Sequence, residues 1–270
     1  MTLAITRHFS PDTAGLILLE IAIITVTGQV LTFGCHSSAT KIVGANSHAQ
    51  NWSIINQDIA AFLNIILTVG MMLIIPAYIL SLYIPELPFS FHKLLIGGAC
   101  AALIQLIAGA LIGIQRQNIA TILLNGLTPL AMAALVLITV HSNKQFQPGD
   151  LVWIYVLCLT FTLTIALFSW YSNNQANYST SLSLTKETQS LAQSLYPVVL
   201  AQLSTQYASQ FAIVFFLADS DFAYFSSALR TSLLISFILM AANLVVAGKF
   251  AEYYAKKEIE AQEKAMEQKA

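Results

Sequence analysis

An all-α integral membrane protein with about seven transmembrane helices is the fold class this chain predicts, and three observations carry the prediction. Of 270 residues 57% are hydrophobic and only 9% are charged, whereas a water-soluble domain of this size has roughly a quarter of its residues charged. The few charges are also crowded at one end, because ten of them fall between Lys249 and Lys269. The rest of the chain is organised in apolar runs of roughly 20 residues, the length that crosses a hydrocarbon layer about 30 Å thick at 1.5 Å per helical residue. No alternation of period two is sustained, which sets aside a membrane β-barrel.

Seven runs read as spans: about Thr13 to Phe33, Ile59 to Tyr83, Leu94 to Ile114, Ile119 to His141, Leu151 to Tyr171, Leu195 to Ala218 and Phe222 to Ala247. Turn chemistry separates them, in "GANSHAQN", "IPELPFS", "NKQFQPGD" and "LADSDF", each rich in residues that favour bends. The segment "SLTKETQSLAQSLYP" suits a short interfacial helix ahead of the sixth span. After Gly248 the last span gives way to "KFAEYYAKKEIEAQEKAMEQKA", a solvated helix whose interleaved Glu and Lys allow i,i+4 pairs. The Met1 end lacks the charged start, apolar core and cleavage site of a signal peptide. Cys35, Cys100 and Cys158 stand singly and read as packing residues.

Orientation follows from lysine and arginine, which stay on the cytoplasmic side of short loops. With alternate loops inside, that side holds Lys41, Arg116, Lys186 and the lysines from Lys249 onward, and the other holds Arg7, Lys93 and Lys144. The tail is then inside, and the "NWS" and "NYS" sequons fall on the cytoplasmic side, where they are not glycosylated. A shift of the sequence by about 208 positions lays the start of the chain on the region after Phe211, so that Ala4, Ile5, Ala39 and Lys41 fall on Ala212, Ile213, Ala247 and Lys249. Apolar strip, acidic loop, span and inner lysine recur in one order, and the two copies point the same way.

The segment "FAYFSSALRTSLLISFILMAANLVVAGKFAEYYAKKEIE" resembles the seventh-to-eighth helix region of the MATE-like (multidrug/oligosaccharidyl-lipid/polysaccharide exporter) superfamily, in its polysaccharide and O-antigen-type flippases. Tyr224, Ser226, Ala228 and Arg230 fit the first part of that motif, and Phe250, Ala251, Tyr253 and Tyr254 the second. "TRHFSPDTAGLILLEIAI" is similar to the family's start, with Arg7, Phe9, Pro11 and Gly15 in place, and "LIQLIAGALIGIQRQNIATIL" matches a third motif through Gly113 and Arg116. The resemblance implies two six-helix lobes in parallel repeat. Mapped on it, residues 1–180 are an incomplete N-terminal lobe, comprising the end of helix one and helices two to six. Residues 181–194 are a cytoplasmic interfacial linker, 195–248 are the first two helices of the C-terminal lobe, and 249–270 are a charged cytoplasmic helical tail. Four further spans are expected beyond the tail, and the chain by itself is expected not to transport. Ala223 stands where the family often has Gly, and Ser209 and Gln210 where it often has an acid, so a cation-coupling site does not carry over.

Polar groups inside a membrane face a cavity or another helix. Gln202, Gln206 and Gln210, spaced by four, put an amide stripe on one helical face, suited either to bonds between helices or to a hydrated path for sugar hydroxyls. Glu20 and Arg230 sit inside spans at matched depth and are candidates for a gate, for separate snorkelling, or, for Arg230, for a lipid phosphate. Arg116 reads as an interfacial anchor or a substrate ligand. Asn64, Gln105 and Asn243 read as structural. His36 and His48 read as solvent-facing loop residues at no metal-ligand spacing. No Walker loop, Ser-His-Asp order or zinc signature is present, so no enzyme activity, cofactor, metal or nucleic-acid partner is expected. The resulting expectation is a flippase of the cell membrane that moves a lipid-linked oligosaccharide or polysaccharide precursor across the bilayer by alternating access. Small-drug antiport, and a non-transporting scaffold that docks envelope polysaccharide assembly proteins, stand as alternatives.

Overall fold

The computed structural model describes residues 1–48, 50–83, 91–141, 148–173, 186–216 and 218–232. Among them the regular structure is helical throughout, with no strand. The order is α1 (Thr2–His8), α2 (Pro11–Leu31), α3 (Cys35–His48), α4 (Trp52–Tyr83), α5 (Phe91–Gly113), α6 (Gln117–Thr121), a π-helical turn (Ile122–Gly126), α7 (Leu127–His141), α8 (Pro148–Asn173) and α9 (Lys186–Phe216). Residues 219–232 are again helical. Six stretches are long and apolar enough to cross a membrane: Pro11–Leu31, Trp52–Tyr83, Phe91–Gly113, Gln117–Ile138, Asp150–Ser172 and Thr188–Phe216. They correspond one for one with the first six expected spans. The expected seventh lies outside the described residues beyond 232, as do Asn243 and the tail 249–270. The chain is therefore an all-α, multi-pass membrane protein. It divides into two compact units, Met1–Tyr224 and one that begins at Phe225.

Local chemistry sets the element ends. Pro11 opens α2 behind Ser10, whose Oγ accepts the N–H of Thr13 at 3.4 Å, and Asp12 lies in the first turn. Hydroxyls inside the spans return to carbonyls of their own helix, as in Thr25 to Ile21 at 2.8 Å and Thr162 to Cys158 at 2.8 Å. An apolar surrounding offers them few other acceptors. Gln115 takes a left-handed φ of 62° and turns the chain from α5 into α6.

Helix α5 is the axis of the first unit, packed against α2, α3, α4 and α8. Its small residues admit the neighbours closely, because in lipid helices associate mainly by van der Waals fit. A Cβ on Gly98 would stand 2.6 Å from the Cγ2 of Thr27, and one on Gly113 would stand 2.7 Å from the Cβ of Val43. Ile17, Ile24, Phe62, Leu106, Ile107 and Leu111 fill the interior. One face of α4 carries the opposite pattern, with Met71, Met72, Ile75, Tyr78 and Leu82 exposed. An outward apolar face is the lipid-facing arrangement of a membrane helix.

Two expectations need correcting. Residues 35–48 are a helix against α5 and not a solvent loop, so His36 is half-buried and bonded to the Gln105 carbonyl at 2.6 Å. Its neighbours Ser37, Ser38 and Thr40 made the stretch look too polar to pack, yet Ser38 and Thr40 return to backbone carbonyls. The interfacial helix expected as a separate element is, among the described residues, continuous with the sixth span: α9 begins at Lys186 and runs through Pro197. Buried Thr188 holds that start in place.

Candidate functional site

Helix α9 is the least covered of the spans, and its polar side chains are on view. Gln202 and Gln206 are exposed, together with Ser204, Thr205 and Ser209, while Gln210 is half-buried. Val198, Ala201, Gln202, Thr205 and Gln206 line an open recess of about 500 Å³. The hydroxyls of Ser204 and Thr205 donate to the carbonyls of Leu200 and Ala201 at 2.9 and 3.0 Å. They therefore present lone pairs outward, beside amides that both donate and accept. From Thr188 to Phe216 no residue is charged. Such a face can bind neutral hydroxyl-rich groups or other helices, and it offers no ion pair to a charged ligand.

Glu20 and Arg116, in the same unit, do not line this recess. Glu20 is half-buried on α2 one turn before Ile24, which packs on Gly97 of α5, and Lys93 stands one turn before Gly97. Lys93 lies two residues into α5 with its Nζ 5.4 Å from the ring centre of Trp153 on α8. His92 makes an edge contact with Tyr78 at 5.5 Å and a tilted one with Trp153 at 6.4 Å. A carboxyl, an ammonium and three aromatic rings from α2, α4, α5 and α8 thus share the Phe91 end of α5. Tyr and Trp beside a snorkelling Lys is the composition of a membrane–water interface. Arg116 is exposed at the other end of α5, where its backbone N–H bonds the Leu111 carbonyl at 2.9 Å. Arg230 is exposed on the helix of residues 219–232 and belongs to the second unit.

Asp58 is the residue that sequence reasoning passed over. It is 1% exposed, and its carboxyl accepts the Thr188 hydroxyl at 2.7 Å. The expected second span began one residue after it, whereas α4 begins at Trp52 and carries Asp58 inside. The available signal was an acid directly abutting an apolar run in "NQDIAAFLNII". Cys35, Cys100 and Cys158 are buried free thiols, as the packing role requires. No group of three or more His, Cys, Asp or Glu capable of holding a metal occurs among the described residues. Fold and site define a class, the multi-pass helical membrane proteins, with one uncharged polar face on a long helix. No protein-family model, curated protein or solved structure matches the chain.

Proposed function

We propose that this protein takes part in moving a lipid-linked oligosaccharide or polysaccharide precursor across the cell membrane by alternating access. The observation that carries the reading is the exposed amide and hydroxyl face of α9. In lipid such a face is unfavourable, so in the working protein it borders water, a polar ligand or another helix. Neutral amides suit sugar hydroxyls, with the lipid tail left in the bilayer while the head group crosses. The MATE-like resemblance in the segments around Pro11, Gly113 and Arg230 supports the same assignment, and the lysine and arginine distribution supports a cytoplasmic C-terminus.

The test is a flipping assay in proteoliposomes with a fluorescent lipid-linked oligosaccharide, using the protein as it is expressed in its native membrane. Gln202→Leu with Gln206→Leu should lower the flipping rate by at least about tenfold, corresponding to about 1.4 kcal/mol of lost transition-state interaction, without loss of folded protein. Undiminished flipping by the folded double variant removes the amide face from the transport path. Absence of flipping by the unaltered protein favours the scaffold reading.

A further inference from the structure

We infer that α2 and α3 form a single membrane crossing, interrupted near the middle of the bilayer at Thr32–Phe33–Gly34, and that this break is the seat of α9. The contacts along α5 lead to it. A Cβ on Gly28 would stand 2.8 Å from the Cβ of Ala101, and a Cβ on Gly97 would stand 3.0 Å from the Cγ2 of Ile24. Past the break, His36 Nδ1 donates to the Gln105 carbonyl at 2.6 Å, Thr40 donates to the Gly109 carbonyl at 3.0 Å, and Val43 meets Gly113. Partner numbers rise together on both sides, so α2 and then α3 climb α5 in one direction. The chain thus keeps to α5 as far as Gly113, its last residue, after α2 has ended.

The depth of the break follows from the same pairing. Helix α5 is itself an apolar span with Ala102 at its midpoint. His36, two residues after the break, is bonded to Gln105, only about 4–5 Å along the axis from that midpoint at 1.5 Å per residue. Non-helical backbone at such a depth is tolerated where it is buried in protein. Here it is: Thr32 is 2% exposed, and its hydroxyl donates to the Gln29 carbonyl at 2.7 Å. Ser38, fully buried, closes the start of α3 on the Gly34 carbonyl at 3.0 Å.

The break also fixes where α9 sits. Phe33 and Gly34 both have left-handed backbones, φ 47° and 76°. For phenylalanine that conformation is unfavourable because its Cβ crowds the following carbonyl, and this is offset by what it places: the Phe33 ring 5.5 Å from that of Tyr196, and Gly34 so close to α9 that a Cβ on it would stand 2.6 Å from the Ala192 carbonyl. Tyr196 directly precedes Pro197. The part of α9 held by the break and by Asp58 therefore ends where the exposed polar face begins. This placement does not depend on what that face binds.

Paired cysteines in a background with Cys35, Cys100 and Cys158 replaced by Ala test the crossing in native membranes. Gly28→Cys with Ala101→Cys reports on α2, while His36→Cys with Gly109→Cys and Val43→Cys with Gly113→Cys report on α3. Oxidation should crosslink all three pairs, since the Cβ positions of the Gly28–Ala101 and Val43–Gly113 pairs meet and need only slight relaxation to disulfide range, and a Cβ on Gly109 would touch His36. Crosslinking of the α2 pair with none of the α3 pairs overturns the proposal. A second measurement covers the case in which cysteines at the glycines prevent folding. A nitroxide at Ser37→Cys, with glycines intact, should collide with oxygen more than with a water-soluble nickel chelate, as one at Met72→Cys does. Nickel access equal to that at Gln115→Cys overturns it.

Discussion

Asp58 shows how far one buried group can order a membrane helix. Its carboxyl ties α4 to the start of α9 through Thr188. Thr188→Val keeps the volume and removes the donor, so a buried acceptor loses a partner and stability should fall by about 1–3 kcal/mol. Thermal unfolding in mild detergent would measure this, and Thr188→Ser, which keeps the hydroxyl donor, should retain most of the stability. An unchanged midpoint for Thr188→Val would show that the bond adds little beyond packing. Glycine 34 makes a second residue-scale case. Gly34→Ala adds a side chain at φ 76° and places it against the Ala192 carbonyl. The variant should be destabilised by more than the roughly 1 kcal/mol of backbone preference alone.

At the scale of the element, close helix approach decides most of the packing. Gly98 on α5 meets Thr27 and the Gly28 backbone, so Gly98→Leu forces α2 outward along its length. Overpacking of this kind costs about 1–3 kcal/mol where the neighbour cannot move, and here part of the obstacle is backbone. Gly70→Ala on α4 is the matched comparison, because its Cβ would lie 3.5 Å from that of Ala99, an ordinary contact. The expected outcome is a clear loss of detergent stability for the first and near neutrality for the second. The π-helical turn Ile122–Gly126 lies in the fourth span, just before the buried Thr128–Thr162 hydroxyl contact at 2.9 Å. Thr128→Val with Thr162→Val removes both polar groups together and should be nearly neutral, as should Thr128→Val alone because Thr162 keeps its bond to the Cys158 carbonyl, whereas Thr162→Val alone takes from the buried Thr128 hydroxyl its partner across the helix pair.

At the scale of the whole molecule, the charges at the two ends of α5 bear on orientation in the membrane. In the proposed orientation, which rests on the lysine and arginine count, the Gly113 end of α5, with Arg116, is cytoplasmic and the Phe91 end is external. Asn118 and Asp150 are exposed near those two ends. An impermeant thiol reagent applied to intact cells should modify Asp150→Cys and leave Asn118→Cys untouched until the membrane is opened. The reverse pattern would invert the proposed orientation. It would also place the Glu20, Lys93 and Trp153 group at the cytoplasmic face.

What the amino-acid sequence determined by itself is the class and the spans, because hydrocarbon thickness translates directly into a run length that can be counted along the chain. Six of the seven counted runs coincide with helices, and of the three amides spaced by four along α9 those at 202 and 206 are exposed and Gln210 is half-buried. Polar residues were harder to place. "CHSSATK" is a loop by composition, and it became a helix because His36 and Thr40 find carbonyl acceptors on α5, 69 residues away. Asp58 and Thr188 are 130 residues apart, and no local pattern pairs them. Glu20 lies one turn before Ile24 and Lys93 one turn before Gly97, so the Ile24–Gly97 contact brings an acid of α2 and a base of α5 to one level, which no local pattern announces. Only the tertiary structure decided these contacts, since a hydrogen bond or ion pair depends on distance in space, whereas membrane solubility is additive along the sequence.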